Sequence, residues 1–204
     1  MSTKAISSYY DSTEFSATRE DLIFALENVT VHASKIAIDC GCGAGSDIAY
    51  LRSKGFTVYA FDIEKESISR CSKRFKGDDR VILSTNSFST FSYPKASLVV
   101  ADASLFFCPK QDFSLVWHKI TKALVTGGIF SGSFLGPKDT MAGPDYDKEA
   151  YWSDTLVMNE PSIKQMFKNY EILKWCEHDL SGKSSDGTTH HWHIFSVVAR
   201  KISN

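Results

Sequence analysis

The sequence predicts an open α/β sheet, mostly parallel, with helices on both faces and an antiparallel pair of strands at its end. Three observations lead there. Short apolar runs alternate with stripes at helical spacing, the pattern of a sheet whose strands are joined by crossover helices. A glycine-rich turn separates the first run from the first stripe. The last two runs, residues 170–179 and 191–200, are joined by a link too short for a crossover helix, so that pair must be an antiparallel hairpin.

Taken in order, Ile36, Ala37 and Ile38 open the first strand. After Gly45, Ile48 and Leu51 share a helical face, and Gly55 ends that helix. Residues 57–62 form the second strand. The next helix carries Glu64 and Glu66 in its first turn, a stripe of Ile68, Cys71 and Phe75, and Gly77 at its end. Residues 80–84 are a third strand, and 98–101 a fourth, apolar enough to be buried on both faces. Phe113, Val116, Trp117, Ile120 and Leu124 mark the clearest helix, from which Gly127 and Gly128 release the chain into a fifth strand at 129–135. Residues 136–157 are long, polar and interrupted by glycine and proline, which fits a lid on the substrate side or a disordered segment. Asn159 is a candidate cap for a helix at 162–168, with Ile163, Met166 and Phe167 facing inward. Near the start, Thr18 and Asp21 have capping-box spacing before Leu22, Leu26 and Val29.

The chain has 204 residues, enough for one sizeable core, and it reads as a single domain, 1–204, with 1–33 as a terminal lid and helix and 34–204 as the core. A net charge of −1 without a basic run supplies no surface for a phosphate backbone, so nucleic acid is not an expected partner. The first 21 residues have no signal-type apolar segment and no later run suits a bilayer, so the reading is a cytoplasmic protein without membrane contact. Five cysteines, with Cys40 and Cys42 lacking a second pair at zinc spacing, read as free thiols, and no metal site is expected.

Gly41, Gly43 and Gly45 lie between a strand and a helix, where residues without Cβ let the backbone approach a ligand. Asp62 ends the next strand, the position from which a carboxylate accepts both ribose hydroxyls. Together these point to an adenosine-containing ligand, although Asp62 could instead cap the following helix. The glycine spacing disfavours a nicotinamide dinucleotide, which wants its third glycine or alanine one residue later, where Ser46 stands.

The segment 36–45, an apolar strand, Asp39 and then Gly-x-Gly-x-Gly, resembles the first motif of the class I, Rossmann-like S-adenosylmethionine-dependent methyltransferases, including the small-molecule, tellurite-resistance type. The resemblance covers roughly residues 34–203. It implies a doubly wound, mostly parallel seven-stranded sheet with a C-terminal antiparallel hairpin, and S-adenosylmethionine as cofactor. It also implies that Asp39, Gly41, Gly43 and Gly45 meet the methionine part, that Asp62 takes the ribose, and that Ile63 packs on the adenine. Asn86 and Ser87 stand where the family usually has an acidic residue against the adenine amino group. The Asn carbonyl can accept the same bond, and Asn86 could equally stabilise its own turn. Ala101 and Ser104 would lie beside the cofactor.

The same resemblance implies direct displacement of the methyl group onto a small-molecule acceptor. The other readings are a catalytically silent, cofactor-binding regulator and, less favoured, a nicotinamide-dependent oxidoreductase. The sequence Ala101-Asp102-Ala103-Ser104 is unlike the motif of enzymes that methylate exocyclic or amide nitrogens. His191 and His193 begin the last strand beside the site and are candidate catalytic bases, with His190 and Trp192 on the opposite face. A purely structural strand end is the alternative. Tyr10, with Tyr9, precedes the first helix and could fold over the cofactor or belong to a disordered tail. Phe106, Phe107 and Trp152 are candidate pocket walls that could simply be core. A monomer or homodimer is expected.

Overall fold

The computed structural model describes residues 3–30, 35–144, 146, 155–184 and 187–203, and within them seven strands form one sheet in the order β3-β2-β1-β4-β5-β7-β6. Strands β1 (Ile36–Cys40), β2 (Thr57–Asp62), β3 (Val81–Thr85), β4 (Ala96–Ala101) and β5 (Leu124–Leu135) are parallel. Strand β7 (Thr189–Lys201) runs antiparallel between β5 and β6 (Tyr170–Lys183). The chain builds outward from β1 to β3 and then returns to place β4 on the other side of β1. That reversal opens a crevice at the carboxyl ends of β1 and β4, where open α/β sheets bind their ligands.

Side-chain alternation divides the core between two faces. On one, α2 (Glu20–Glu27), α3 (Ser46–Ser53) and α4 (Lys65–Arg74) pack Leu22, Ile48, Leu51 and Cys71 against Val58, Ala60, Leu98 and Val100. On the other, α5 (Lys110–Ala123) and α6 (Glu160–Met166) pack Val116, Ile120 and Ile163 against Ile38, Val99, Phe130 and Phe195. Strand β4 is buried along its whole length and feeds both clusters, which is why its sequence is a continuous apolar run. Behind α6, Phe167 meets Trp117 at 5.2 Å, Tyr170 at 5.3 Å, Phe130 at 5.6 Å and Phe134 at 6.0 Å between ring centroids.

Several local expectations need correction. Residues that read as a polar tail form helix α1 (Thr3–Thr13), so Tyr9 and Tyr10 lie inside a helix. Arginines of α4 hold it, a long-range contact invisible to local pattern. Helix α2 starts at Glu20 with Arg19 as its extended N-cap and no side-chain capping bond, so the Thr18 capping box does not form. Strand β5 begins at Leu124, and its pairing with β4 jumps from Leu124 opposite Ala96 to Ile129 opposite Leu98. Gly127 and Gly128 thus lie in a bulge within the strand, and Gly127 takes a left-handed φ of 81°. Asn159 does cap α6, its side chain accepting from the Ser162 N–H at 3.0 Å.

The hairpin matters most for the site. Strand β7 pairs with β5 only as far as Ile194 opposite Leu135, yet continues beside β6 to Thr189. Residues 189–193 therefore rise beyond the rim of the sheet. Of the 136–157 stretch, 145 and 147–154 lie outside the described residues, as does Trp152. Its described ends are fixed: Gly136 N–H donates to the His193 carbonyl at 2.6 Å, and Leu156 N–H to that of Phe106 at 2.7 Å.

Phe167→Ala should cost about 3–5 kcal/mol in denaturant unfolding, because the cavity it leaves is walled by rings that cannot collapse together.

Candidate active site

A cavity of about 1460 Å3 follows the carboxyl rim of the sheet from the end of β2 to β6. At its first half the glycine turn is held in a shape that side chains would forbid. Gly41, Gly43 and Gly45 have φ of 75°, 52° and 84°, in the left-handed region. A Cβ on Gly41 would stand 2.7 Å from Ser104 Cβ, and one on Gly45 would stand 2.9 Å from both Cys71 Sγ and the Phe75 ring. Gly43 is the open member: among the described residues, a Cβ there would meet just the Tyr10 ring, at 3.8 Å. Gly41 and Cys42 donate their N–H groups to the Phe61 carbonyl, and Ser104 Oγ donates to that of Cys40 at 2.5 Å.

Asp62 ties this turn to β2. Its Oδ2 accepts from Gly43 N–H and its Oδ1 from Glu64 N–H, both at 2.9 Å. The N-cap of α4 is Glu64, so Asp62 does not cap that helix. Burial raises the Asp62 pKa, against the pull of the Glu64 and Gly43 amides.

Beneath the turn, Asp39 is buried, and its Oδ2 has no hydrogen-bond partner among the described residues. Burial pushes its pKa well above the usual carboxylate range, helped by Asp47 and Asp62. Asp47 is raised too, by burial. Arg19 lies 2.9 Å from Asp102 and 4.0 Å from Asp47. Asp102, Asp47 and the buried Asp39 share one guanidinium and Asp62 lies at the adjoining turn, so acidic groups outnumber cations at this end of the cavity, which suits a cationic ligand with one anionic group of its own.

Gly41, Gly43, Asp62, Ile63, Asn86, Ser87 and Ser104 all line the cavity; Asp39, Gly45 and Ala101 lie behind its wall. Ile63 is 63% exposed there, an apolar side chain offered to a ligand. Asn86 spends its amide on Thr90 Oγ1 at 3.2 Å, leaving the carbonyl oxygen as an acceptor. Tyr10 is buried, and burial raises its pKa. Its helix is clamped over the turn by α4: Arg70 bonds Asp11 Oδ1 at 2.7 Å and Ser7 Oγ at 3.0 Å, and Arg74 donates to the carbonyls of Glu14 and Ala44 at 2.6 and 3.2 Å.

The second half is walled by the rising hairpin, and alternation decides which histidines reach it. His190 and Trp192 line the cavity, whereas His191 and His193 do not. His191 contacts Ser181 Oγ at 2.8 Å and Asp179 Oδ1 at 3.1 Å. His193 is buried, accepts the Lys138 N–H on Nδ1 at 3.1 Å and so presents Nε2–H to Glu177 at 2.9 Å. Glu177, Asp179 and His193 are close enough to share a cation. The protonated Nε2 makes His193 a donor in that cluster and not a ligand. Sequence reasoning missed Arg19 and Asp139, each of which acts through a partner distant in sequence. Phe106 and Phe107 do line the cavity, as expected.

Residues 37–128 match the family model described as a methyltransferase domain. No curated protein sequence gives a significant match. Among solved structures, TehB from Haemophilus influenzae superposes with a TM-score of 0.74 at 16% identity, over 95% of this chain. The chain spans only 65% of that protein's length. NodS, an N-methyltransferase from Bradyrhizobium japonicum solved with S-adenosyl-L-homocysteine, gives 0.68 at 16% identity, over 98% of each chain. The 1,6-didemethyltoxoflavin N1-methyltransferase of Burkholderia thailandensis, with its acceptor and S-adenosylhomocysteine bound, gives 0.67 at 18%, over 98% of this chain and 87% of its own. At these identities the likeness establishes the fold. No helix among the described residues is long and apolar enough to cross a membrane.

The unpartnered Asp39 makes a prediction about the free protein. A carboxyl whose pKa is higher folded than unfolded holds its proton more tightly in the native state, so stability falls as pH rises above the unfolded value near ~3.9. Asp39→Asn removes that dependence. Its melting temperature should exceed that of the wild type at pH 8, and the gap should close as pH falls toward ~4. A wild-type advantage at pH 8 would show that Asp39 has a partner in the free protein.

Proposed function

We propose that this protein, whose core is a methyltransferase domain of the class I, Rossmann-like kind, binds S-adenosylmethionine in the first half of the cavity and methylates a small molecule held in the second. The observation that carries the reading is Asp39 Oδ2, buried without a partner among the described residues, under a glycine turn whose open member is Gly43, with Asp62 beside it. Those groups fit the cofactor. Asp62 offers its remaining lone pairs to the ribose hydroxyls, and Ile63, Asn86 and Ser87 form the adenine end. The methionine end lies along Gly41, Gly43 and Ser104. Asp39 and its neighbours attract the ammonium group, and Arg19 the carboxylate. Gly45 and Ala101 act from behind, holding the turn and the β4 end in place.

When bound, the cofactor supplies a methyl group on a positively charged sulfur, open to any aligned nucleophile. The protein's own work is to position and to exclude water, which can contribute ~7–11 kcal/mol. The carboxylates favour the cation electrostatically, and α1 brings Tyr10 across Gly43 to shield the turn. We place the protein in the cytoplasm, as a monomer or homodimer without nucleic-acid or membrane partners. Detection of S-adenosylhomocysteine in a screen of pooled metabolites separates this reading from a silent binder, and titration with NADH separates it from an oxidoreductase.

S-adenosylhomocysteine should bind at one site per chain and raise the melting temperature. Asp62→Ala should weaken that binding tenfold or more, since hydrogen bonds to a charged group contribute about 1.5–3 kcal/mol each. Because Asp62 also holds Gly43 and Glu64, the variant should be less stable as well. The wild type should prefer S-adenosylhomocysteine to its 2′-deoxy analogue and the variant should not. Calorimetric titration of both proteins with both ligands checks this, and unchanged affinity in folded Asp62→Ala would displace the ribose from this site.

A further inference from the structure

We propose that the half of the cavity over β5, β7 and β6 takes an uncharged aromatic acceptor carrying its nucleophile as an O–H, S–H or ring N–H, and that His190, held by Asp139, removes that proton. The inference rests on the cofactor reading above. It is drawn from a different set of residues.

The walls decide the acceptor's character. Phe106, Phe107, Leu135, Met141, Trp192 and Ile194 line this half. The Phe106 and Phe107 rings lie 4.6 Å apart, and those of His190 and Trp192 4.9 Å apart. Flat apolar surfaces of this kind bury an aromatic body well. Among the described residues, the two cations that line the cavity are already paired, Arg19 with Asp102 and Lys174 with Asp21 at 2.6 Å. An oxyanion or phosphorylated acceptor would enter without a counter-charge, at a large desolvation cost.

Among the polar side chains that line this half, which include Tyr146 and His178, His190 is the one held by a buried carboxylate and so organised as a base. Asp139 is buried, and it accepts three hydrogen bonds: from Met141 N–H at 2.9 Å, from His193 N–H at 2.9 Å and from His190 Nε2 at 3.1 Å. An ionised carboxylate only accepts, so the His190 proton sits on Nε2, and Nδ1 is the unprotonated nitrogen. This is the arrangement by which a buried Asp orients a catalytic imidazole and stabilises the imidazolium it becomes. His193 positions the pair without touching the acceptor. It binds the Lys138 and Gly136 amides, and a Cβ on Gly136 would stand 2.1 Å from its Nδ1, so this corner admits only glycine. The hairpin's histidines thus divide their labour: His190 acts, His193 places Asp139.

In the step itself, the acceptor's proton passes to His190 Nδ1 as its heteroatom forms a bond to the methyl carbon and the carbon–sulfur bond breaks. The products are the methylated acceptor, S-adenosylhomocysteine and an imidazolium that returns its proton to water.

The test uses full-length protein, a series of substituted phenols and thiophenols of graded acidity, and selenite and tellurite as oxyanion controls. His190→Gln and Asp139→Asn are compared with the wild type, and S-adenosylhomocysteine binding is measured on all three. Aromatic acceptors should be methylated and the oxyanions should not. For weakly acidic acceptors kcat should fall by about 10²-fold or more in His190→Gln. The loss should shrink steadily as the acceptor becomes more acidic and needs less help to lose its proton, a gradient that a merely structural defect would not produce. As a readout without turnover, 4-nitrophenol added to the wild-type complex with S-adenosylhomocysteine, at a pH where the free phenol is un-ionised, should develop its phenolate absorbance, and with His190→Gln it should not. Methylation of selenite or tellurite, no turnover of any aromatic acceptor, or equal losses across the series would overturn the proposal. Failure of the wild type to bind S-adenosylhomocysteine would instead overturn the cofactor reading on which it stands.

Discussion

The hydrogen bonds from Gly43 and Glu64 to Asp62 are the interaction on which the rest of the site depends. They lock the end of β2 to the turn after β1, and so fix which backbone faces the cavity and how the Asp62 carboxylate is held beside it. The lock is costly in the empty protein. Asp39, Asp47 and Asp102 gather around one arginine, and burial disfavours the charge of Asp39, Asp47 and Asp62. Such an arrangement is a store of unfavourable electrostatic energy that a cation relieves. The glycines belong to the same design: Gly41 and Gly45 are pressed against Ser104, Cys71 and Phe75, so the turn has no slack, and Gly43 is left as the approach.

The opposite end of the cavity is governed by strand length. If β7 stopped where β5 stops, the second half would have no wall on that side. Its extension beyond Ile194 raises His190 and Trp192 above the rim, and strict alternation keeps His191 and His193 on the outer side. A polar network made by the outer histidines then anchors residues 136–139 to the strand, which sets Asp139 beneath His190. The two halves meet at β4, whose end offers Asp102, Ala103 and Ser104 to the cavity. Ala103 takes a positive φ of 48° there, with its N–H held by Ser133 Oγ at 2.8 Å. Strain of this kind in a non-glycine residue is typical of a site whose surroundings impose its shape.

Sheet, order of elements and glycine turn were legible in the sequence because each rests on local periodicity or on residues close in the chain. Strand β2 was read to the residue, since its alternation ends at Asp62 and is bounded by Gly55. What was not legible came from contacts between distant segments. Helix α1 has a weak apolar stripe of its own and is held by Arg70 and Arg74, some sixty positions away. The Asp139 and His190 pair is separated by 51 positions and announced by no motif. Alternation did separate His190 and Trp192 from His191 and His193, but only the tertiary structure shows which pair faces the cavity.

The most direct measurement of the central claim is a crystal structure of the protein with S-adenosylhomocysteine. The account predicts the ribose hydroxyls on the Asp62 carboxylate, the adenine against Ile63, the homocysteine chain along Gly41 and Gly43, and its sulfur facing the half of the cavity that His190 lines. Adenosine density elsewhere, or an Asp62 carboxylate bonded only to Gly43 and Glu64 in the complex, would contradict it.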